Sequence, residues 1–181
     1  MSFSERFTLK EIMDLNRYCE KYDMILMDET NRERAEYEDD YISKDIDIIL
    51  PFSKTETFKT YETLESTVSL LNRFRLNGES KILKKLKIEW RIPTKDELNR
   101  ILMFINPYNE REFNNGKKFY LWNYLIWSCT DSKKSGQKIA LKRIIDSGGV
   151  AFFGRCAKTI EESLSAEKGY AFSIIVGKII K

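Results

Sequence analysis

The stretch WRIPTKDELNRILMFI, residues 90–105, constrains the fold more than any other part of this chain. Pro93 fixes its own φ, and Thr94 is suited to cap a helix. Glu97 stands three residues after Thr94, the spacing of a capping box in which its carboxylate reaches back to the cap's amide. A helix is therefore expected from about Lys95, with Leu98, Ile101, Leu102 and Ile105 along its apolar face. What capping leaves unexplained is the Trp90-Arg91-Ile92 that precedes it.

The same spacing recurs at Thr8 and Glu11, so a first helix follows there with Leu9, Ile12, Leu15, Cys19 and Tyr22 as its stripe. MILMDE (24–29) is a short apolar run of strand character. The next stretch turns acidic and reads as a solvated loop running into a strand at DIDIIL (45–50). Its carboxylates, Glu36, Glu38, Asp39, Asp40, Asp45 and Asp47, are hard-cation ligands by type, but they lack the order of an EF-hand loop, and no metal is assigned. A second helix begins near Thr60 with Tyr61, Leu64, Val68, Leu71 and Phe74 on one face, and LNGES (76–80) ends it.

From Asn106 the texture changes. NPYNEREFNNGKKF reads as a loop of about a dozen residues, a length often put to functional use. YLIWSCT follows as a short apolar and aromatic run. QKIALKRIID alternates from Ile139 to Ile145 like a strand, Ser147-Gly148-Gly149 signals a turn, and VAFFGRCA is its hairpin partner. GYAFSIIVGKII closes the chain as a strand buried in the sheet. Helices first and a β-rich second half indicate an α+β fold.

Composition narrows the chemistry. The 181 residues contain no histidine, which excludes Ser-His and Cys-His dyads and the imidazole ligands of most catalytic zinc sites. Acid–base work would fall to carboxylates, Lys, Tyr or Cys, so an enzyme is not the expected class. Cys19, Cys129 and Cys156 are odd in number and widely spaced, which argues against a disulfide framework and a thiolate metal cage alike. No cofactor is implied. No apolar run approaches the ~20 residues of a membrane span, and the first residues lack a secretory signal. A cytoplasmic location is expected if Met1 is the native start. Residues 1–60 carry 9 basic and 15 acidic side chains, whereas residues 61–181 carry 22 and 13. This asymmetry lets the segments attract each other or directs the basic part to an anionic partner.

Taken together, TYETLESTVSLLNRF, WRIPTKDEL, YLIWSCT and the terminal strands form a recognisable series over residues 58–181. It resembles the bacterial domain family DUF1566, found also as the C-terminal domain of a Legionella collagen-like adhesin. That family is similar to the formylglycine-generating enzymes, with a C-type-lectin-like architecture. Trp90, Arg91, Pro93, Thr94, Glu97 and Leu98 match its central motif, with Ile92 for Leu. Trp127, Ser128 and Thr130 match its Trp-Ser-Ser-Thr, with Cys129 replacing the second Ser. The arginines of the family's closing strand are missing from FSIIVGKI. The resemblance implies a C-type-lectin-like domain of two helices plus antiparallel sheet over 58–181, with residues 1–57 as an acidic, α-rich extension or small subdomain. The motif residues are expected to be structural: Trp90 packing under the sheet, Arg91 bridging to carbonyls or a carboxylate. A signature of this kind identifies a scaffold, not a site.

The calcium-binding triplets of true C-type lectins do not occur here. The pair of active-site cysteines of a formylglycine-generating oxidase has only Cys129 and Cys156 to draw on. The remaining candidate is binding through the 106–124 region. Tyr108, Phe113, Phe119, Tyr120 and Trp122 are aromatic, and Arg111, Lys117 and Lys118 are basic, a pairing typical of interface anchors and of stacking on sugars. A Lys-rich patch (Lys81, Lys84, Lys85, Lys87) suits a polyanion, although no nucleic-acid-binding motif accompanies it. The expected function is thus non-enzymatic recognition of a protein or an anionic glycan, with homo-oligomerisation left open. The setting is an adhesin, a protein released or carried on a virion if phage-encoded, or a cytosolic effector such as a phage anti-defence inhibitor. The alternative class is a histidine-free enzyme using Cys and carboxylates.

Overall fold

The computed structural model describes residues 2–37, 41–51, 58–73, 83–114, 124–146 and 156–181. Within these, side chains are described except at 37, 83, 106–114, 145–146 and 156–157. In chain order the elements are α1 (Phe3–Arg6), α2 (Leu9–Lys21), β1 (Ile25–Leu26), α3 (Glu29–Tyr37), β2 (Ile48–Leu50) and α4 (Tyr61–Leu71). A single 3-10 turn (Leu83–Lys85), β3 (Lys87–Arg91), α5 (Lys95–Asn114), β4 (Ile126–Asp131), β5 (Gln137–Asp146), β6 (Cys156–Ser165) and β7 (Ile175–Ile180) follow. Mixed helices and antiparallel sheets make the fold α+β. No helix among the described residues is long and apolar enough to cross a membrane.

The chain divides into two compact units. One comprises Met1–Glu56, Thr63–Ile92 and Ile174–Lys181; the other comprises Thr57–Glu62 and Pro93–Ser173. The chain passes from one to the other between Ile92 and Pro93, inside the motif that opens the sequence reading.

The first unit is built on an antiparallel sheet in the order β1-β2-β7-β3. The closing strand is central, in keeping with its largely apolar sequence: Ile175, Val176 and Ile179 are buried, and Lys178 alone faces out. Gly177 lies opposite Ile48 on one side and Trp90 on the other. A Cβ there would stand 2.6 Å from Ile88 Cγ2 and 2.9 Å from Trp90 Cε3, so the buried indole of Trp90 rests on bare backbone. The strand β2 shares this sheet with β7, which joins residues on either side of position 57.

The Thr8–Glu11 box forms as expected: Glu11 N donates to Thr8 Oγ1 at 3.2 Å and Thr8 N to Glu11 Oε1 at 2.9 Å. The buried stripe of α2 is narrower than the sequence suggests, because Leu15 and Cys19 are buried whereas Leu9 is 75% and Tyr22 46% exposed. The acidic stretch expected as loop instead contains α3. Asp28 Oδ1 accepts from Asn31 N at 3.0 Å and caps it. Arg32 then donates to the carbonyls of Ile42, Ser43 and Ile46 at 3.1, 3.2 and 2.5 Å. Tertiary anchoring of this kind stabilises a helix that has no apolar face of its own.

Asp47 is the other departure. Grouped with a solvated acidic cluster at the point where it runs into the strand DIDIIL, it is fully buried in the approach to β2. Arg6 donates to both its oxygens at 2.6 and 2.9 Å, and Ile179 N donates at 2.7 Å. Arg6 also donates to Ile179 O at 3.1 Å. The carboxylate holds the Arg6 guanidinium above its ordinary pKa, chiefly through these hydrogen bonds and against the cost of burial.

In the second unit α5 packs on β4 and β5 of a sheet ordered β4-β5-β6. Its N-terminus follows the sequence reading: Glu97 N donates to Thr94 Oγ1 at 3.2 Å and Thr94 N to Glu97 Oε1 at 3.0 Å. Leu98, Ile101, Leu102 and Ile105 are fully buried, with Phe104. The helix does not stop at Asn106, where a loop was expected, but runs through Pro107 to Asn114. A mid-helix proline costs about 3 kcal/mol, and the good helix formers Glu110, Arg111 and Glu112 beyond it favour continuation. Strand β5 contains the expected Ile139–Ile145 alternation and extends past it at both ends, and its hairpin partner β6 pairs from Asp146↔Cys156 to Gln137↔Ser165. Of the expected partner VAFFGRCA only Cys156 and Ala157 lie within the described residues.

Candidate functional site

The two sequence motifs meet in the second unit, and their polar groups are consumed there. Cys129 N donates to Pro93 O at 2.9 Å, and Lys95 N donates to Thr130 Oγ1 at 2.9 Å. Ser128, buried, donates through Oγ to Ile139 O at 2.7 Å and accepts from Thr130 N at 3.3 Å. Trp127, also fully buried, donates through Nε1 to Lys59 O at 2.8 Å and meets Tyr61 edge-on with centroids 5.6 Å apart. On its far side Tyr61 has the Lys138 ammonium 5.0 Å from its ring centre, a favourable cation–π placement. Trp90 belongs to the first unit, where Asn72 binds its backbone: Trp90 N donates to Oδ1 at 2.6 Å and Nδ2 to Trp90 O at 2.9 Å. Arg91 is half-buried. The buried Trp127 and Ser128 and the backbone of Trp90 are thus engaged within the fold.

An exposed feature is assembled beside them. Lys59 and Ala171 exchange backbone hydrogen bonds at 3.0 and 3.1 Å, and Phe172 N donates to Leu125 O at 2.8 Å. These bonds bring three distant aromatics together. Phe58 and Phe172 have centroids 4.1 Å apart, and Tyr124 meets Phe172 edge-on at 5.0 Å. Phe58 is 52% exposed, Tyr124 38%, and Tyr170, two residues before Phe172, 61%. Rings held against each other at this exposure offer flat apolar faces and a phenol hydroxyl. That combination stacks on sugar rings or on apolar and planar side chains.

The expected ligand-binding residues are not gathered by the described structure. Tyr108, Arg111 and Phe113 fall on the last turns of α5, with side chains outside the description. Lys117, Lys118 and Trp122 lie outside the described residues, as do Phe119 and Tyr120. Tyr124 is the first described residue after that segment. Sequence reasoning missed Phe58, Tyr124 and Phe172, since no spacing links positions so far apart; the aromatic run around Tyr124 was its nearest signal.

A concave feature belongs to the first unit. A cleft of about 370 Å³ is lined by residues of α1 and α3 together with Lys44. Its cations are largely committed: Arg6 to Asp47, Arg32 to three carbonyls. Burial holds Arg32 below its ordinary pKa. Glu29 accepts from the Ser4 hydroxyl and from Ser4 N, and these bonds hold its carboxyl below the usual range. Arg6, Arg32 and Glu29 thus serve the fold.

Among the described residues no three His, Cys, Asp or Glu side chains are placed to hold a metal ion. Burial pushes the Cys19 thiol up to about 12, with the Asp28 charge adding to it, so it is not a nucleophile near neutral pH. Compared with known proteins, the chain matches no family model, no curated protein and no solved structure.

Proposed function

We propose that this is a non-enzymatic binding protein that takes a protein or anionic glycan ligand on the Phe58–Phe172–Tyr124 cluster. The observation that carries the reading is the exposure of Phe58 and Tyr124, both packed on Phe172. Lys117, Lys118 and Trp122 are the charged and aromatic residues proposed to take part with them. Tyr108, Arg111 and Phe113 on the last turns of α5 would extend the same surface. Aromatic residues clustered with Arg or Lys are the usual energetic centre of a recognition surface.

Within this reading the chain is a relative of the DUF1566 domains with a C-type-lectin-like architecture. The two helices α4 and α5, the antiparallel sheet β4-β5-β6 and the structural use of Trp127 and Ser128 are in keeping with it. A setting on an adhesin or a virion, or in the cytosol as an effector, is compatible with a binding role of this kind.

The test is a pull-down from host lysate paired with an array of sulfated and unsulfated glycans. The double variant Phe58→Ala/Tyr124→Ala should bind at least about tenfold more weakly than wild type, as loss of interface anchors does. Its near-native melting temperature would show that the fold survives. Unchanged binding by this variant and by Trp122→Ala would exclude the cluster.

A further inference from the structure

Among the described residues, three of the four sheet edges are met by other groups of the chain and the fourth is not. In the first unit the outer edge of β1 is met by Asn31 Nδ2, which donates to Leu26 O at 2.7 Å. The outer edge of β3 is met by Asn72, whose amide both accepts from Trp90 N and donates to Trp90 O. In the second unit the outer edge of β4 is met by Phe172 O, which accepts from Trp127 N, and by Pro93 O, which accepts from Cys129 N. These contacts are what an exposed edge needs to avoid pairing with another chain.

Among the described residues no such contact covers strand β6. Ala166 N donates to Gly136 O just beyond the β5–β6 ladder, which sets the phase of its hydrogen bonds. With the register Gln137↔Ser165, residues 158, 160, 162 and 164 bond to β5, and residues 157, 159, 161 and 163 aim their N–H and C=O groups outward. Among the described residues no hydrogen bond reaches the backbone of Thr159, Glu161 or Ser163 on that side. The outward groups of Thr159, Glu161 and Ser163 are thus left as a template.

The charges along this edge select what can pair with it. Lys158 is exposed, and Glu162 is half-buried with only a loose 3.8 Å pairing to Lys142. An antiparallel second copy of β6 centred on Ile160 places Ile160 opposite itself and Lys158 opposite Glu162, twice over. These are non-hydrogen-bonded pairs, whose side chains lie closest, with Cα atoms about 4.5 Å apart. Thr159 and Glu161 then face each other as hydrogen-bonded pairs and satisfy the open groups. Moving the centre by one residue to Glu161 would set that carboxylate against itself and Ile160 against Glu162. Charges that discourage other strands therefore favour this one register.

We propose that β6 is the interface of a two-fold homodimer, in which two three-stranded sheets join through antiparallel β6–β6 pairing centred on Ile160. The interface is isologous, as closed two-fold dimers require.

Light scattering on size-exclusion fractions over a concentration series tests it. The wild type should approach twice the 21.4 kDa chain mass. Lys158→Glu and Glu162→Lys should each raise the dimer dissociation constant at least tenfold, and the double variant should restore it. Glu161→Pro removes an outward N–H that β5 does not use, so it should give a folded monomer. Circular dichroism melts confirm folding of each variant. A wild type that stays at 21.4 kDa throughout, or a dimer untouched by Lys158→Glu and Glu161→Pro, overturns the proposal. A folded double variant that remains monomeric overturns the register.

Discussion

Arg6→Met is the substitution whose cost the structure defines best. The methionine keeps much of the side-chain volume and removes the charge, leaving Asp47 fully buried with Ile179 N as its remaining hydrogen-bond donor among the described residues. Breaking a buried pair by removing one partner costs about 3–5 kcal/mol. The Arg6 side chain is 22% exposed, so water can follow into the space it leaves, and about 2–4 kcal/mol is the expected loss. Removing both charges by Arg6→Met/Asp47→Leu leaves the Ile179 amide as the main orphan, at about 1–3 kcal/mol. The double variant should therefore be more stable than Arg6→Met alone. Urea unfolding followed by circular dichroism measures this, with melting temperatures moving roughly 2–4 °C per kcal/mol for a chain of this length. If the double variant loses the sum of the two single losses, the pair is not a coupled buried unit, and the reasoning fails.

Three further outcomes follow from the same contacts. Gly177→Ala should destabilise by about 1–3 kcal/mol through overpacking against Ile88 and Trp90, visible as a lower urea midpoint with altered tryptophan fluorescence; an unchanged midpoint would show that the strand shifts freely. Native iodoacetamide labelling at pH 8 should spare Cys19, whose thiol burial raises to about 12, and peptide mapping that finds it modified as fast as in urea would contradict its placement. Burial pushes the Glu11 carboxyl up, yet the bonds from Thr8 N and Lys181 together hold it below its ordinary 4.5. A depressed folded pKa gives stability that is present above the unfolded value and lost as pH falls through the folded one. Melting temperature should therefore drop on acidification from about pH 5 to 3, and less steeply in Glu11→Gln; equal slopes would remove Glu11 as a contributor.

What was legible in the sequence was what neighbouring residues decide. The helix starts at Thr8 and Thr94 were readable because a cap and its reciprocal carboxylate lie three residues apart. The face Leu98–Ile101–Leu102–Ile105 was readable because burial repeats with the helical period. Helix α3 was hidden because it shows no apolar period and is anchored by Arg32 reaching carbonyls 10 to 14 residues away. Asp47 was hidden for the same reason at greater range, since its partners are residues 6 and 179. The aromatic cluster draws on positions 58, 124 and 172, whose proximity is a property of the Lys59–Ala171 bridge and not of any local pattern.

The two proposals made for the second unit bear on each other through the order of its sheet. Phe172 bridges to Ile126 and so lies along the β4 edge, whereas the open strand β6 forms the opposite edge. Pairing through β6 would leave the aromatic cluster uncovered and place one copy at each end of a six-stranded sheet. Such a dimer gains avidity for a repetitive ligand, in favourable geometries by 10²–10⁴-fold, without any change in the individual contact. Lys158→Glu should then weaken binding to a densely displayed glycan or oligomeric partner while leaving affinity for a monovalent fragment unaltered. Phe58→Ala/Tyr124→Ala should weaken both. If Lys158→Glu lowered the monovalent affinity as well, β6 itself would be part of the ligand surface, and the separation of the two edges would have to be given up.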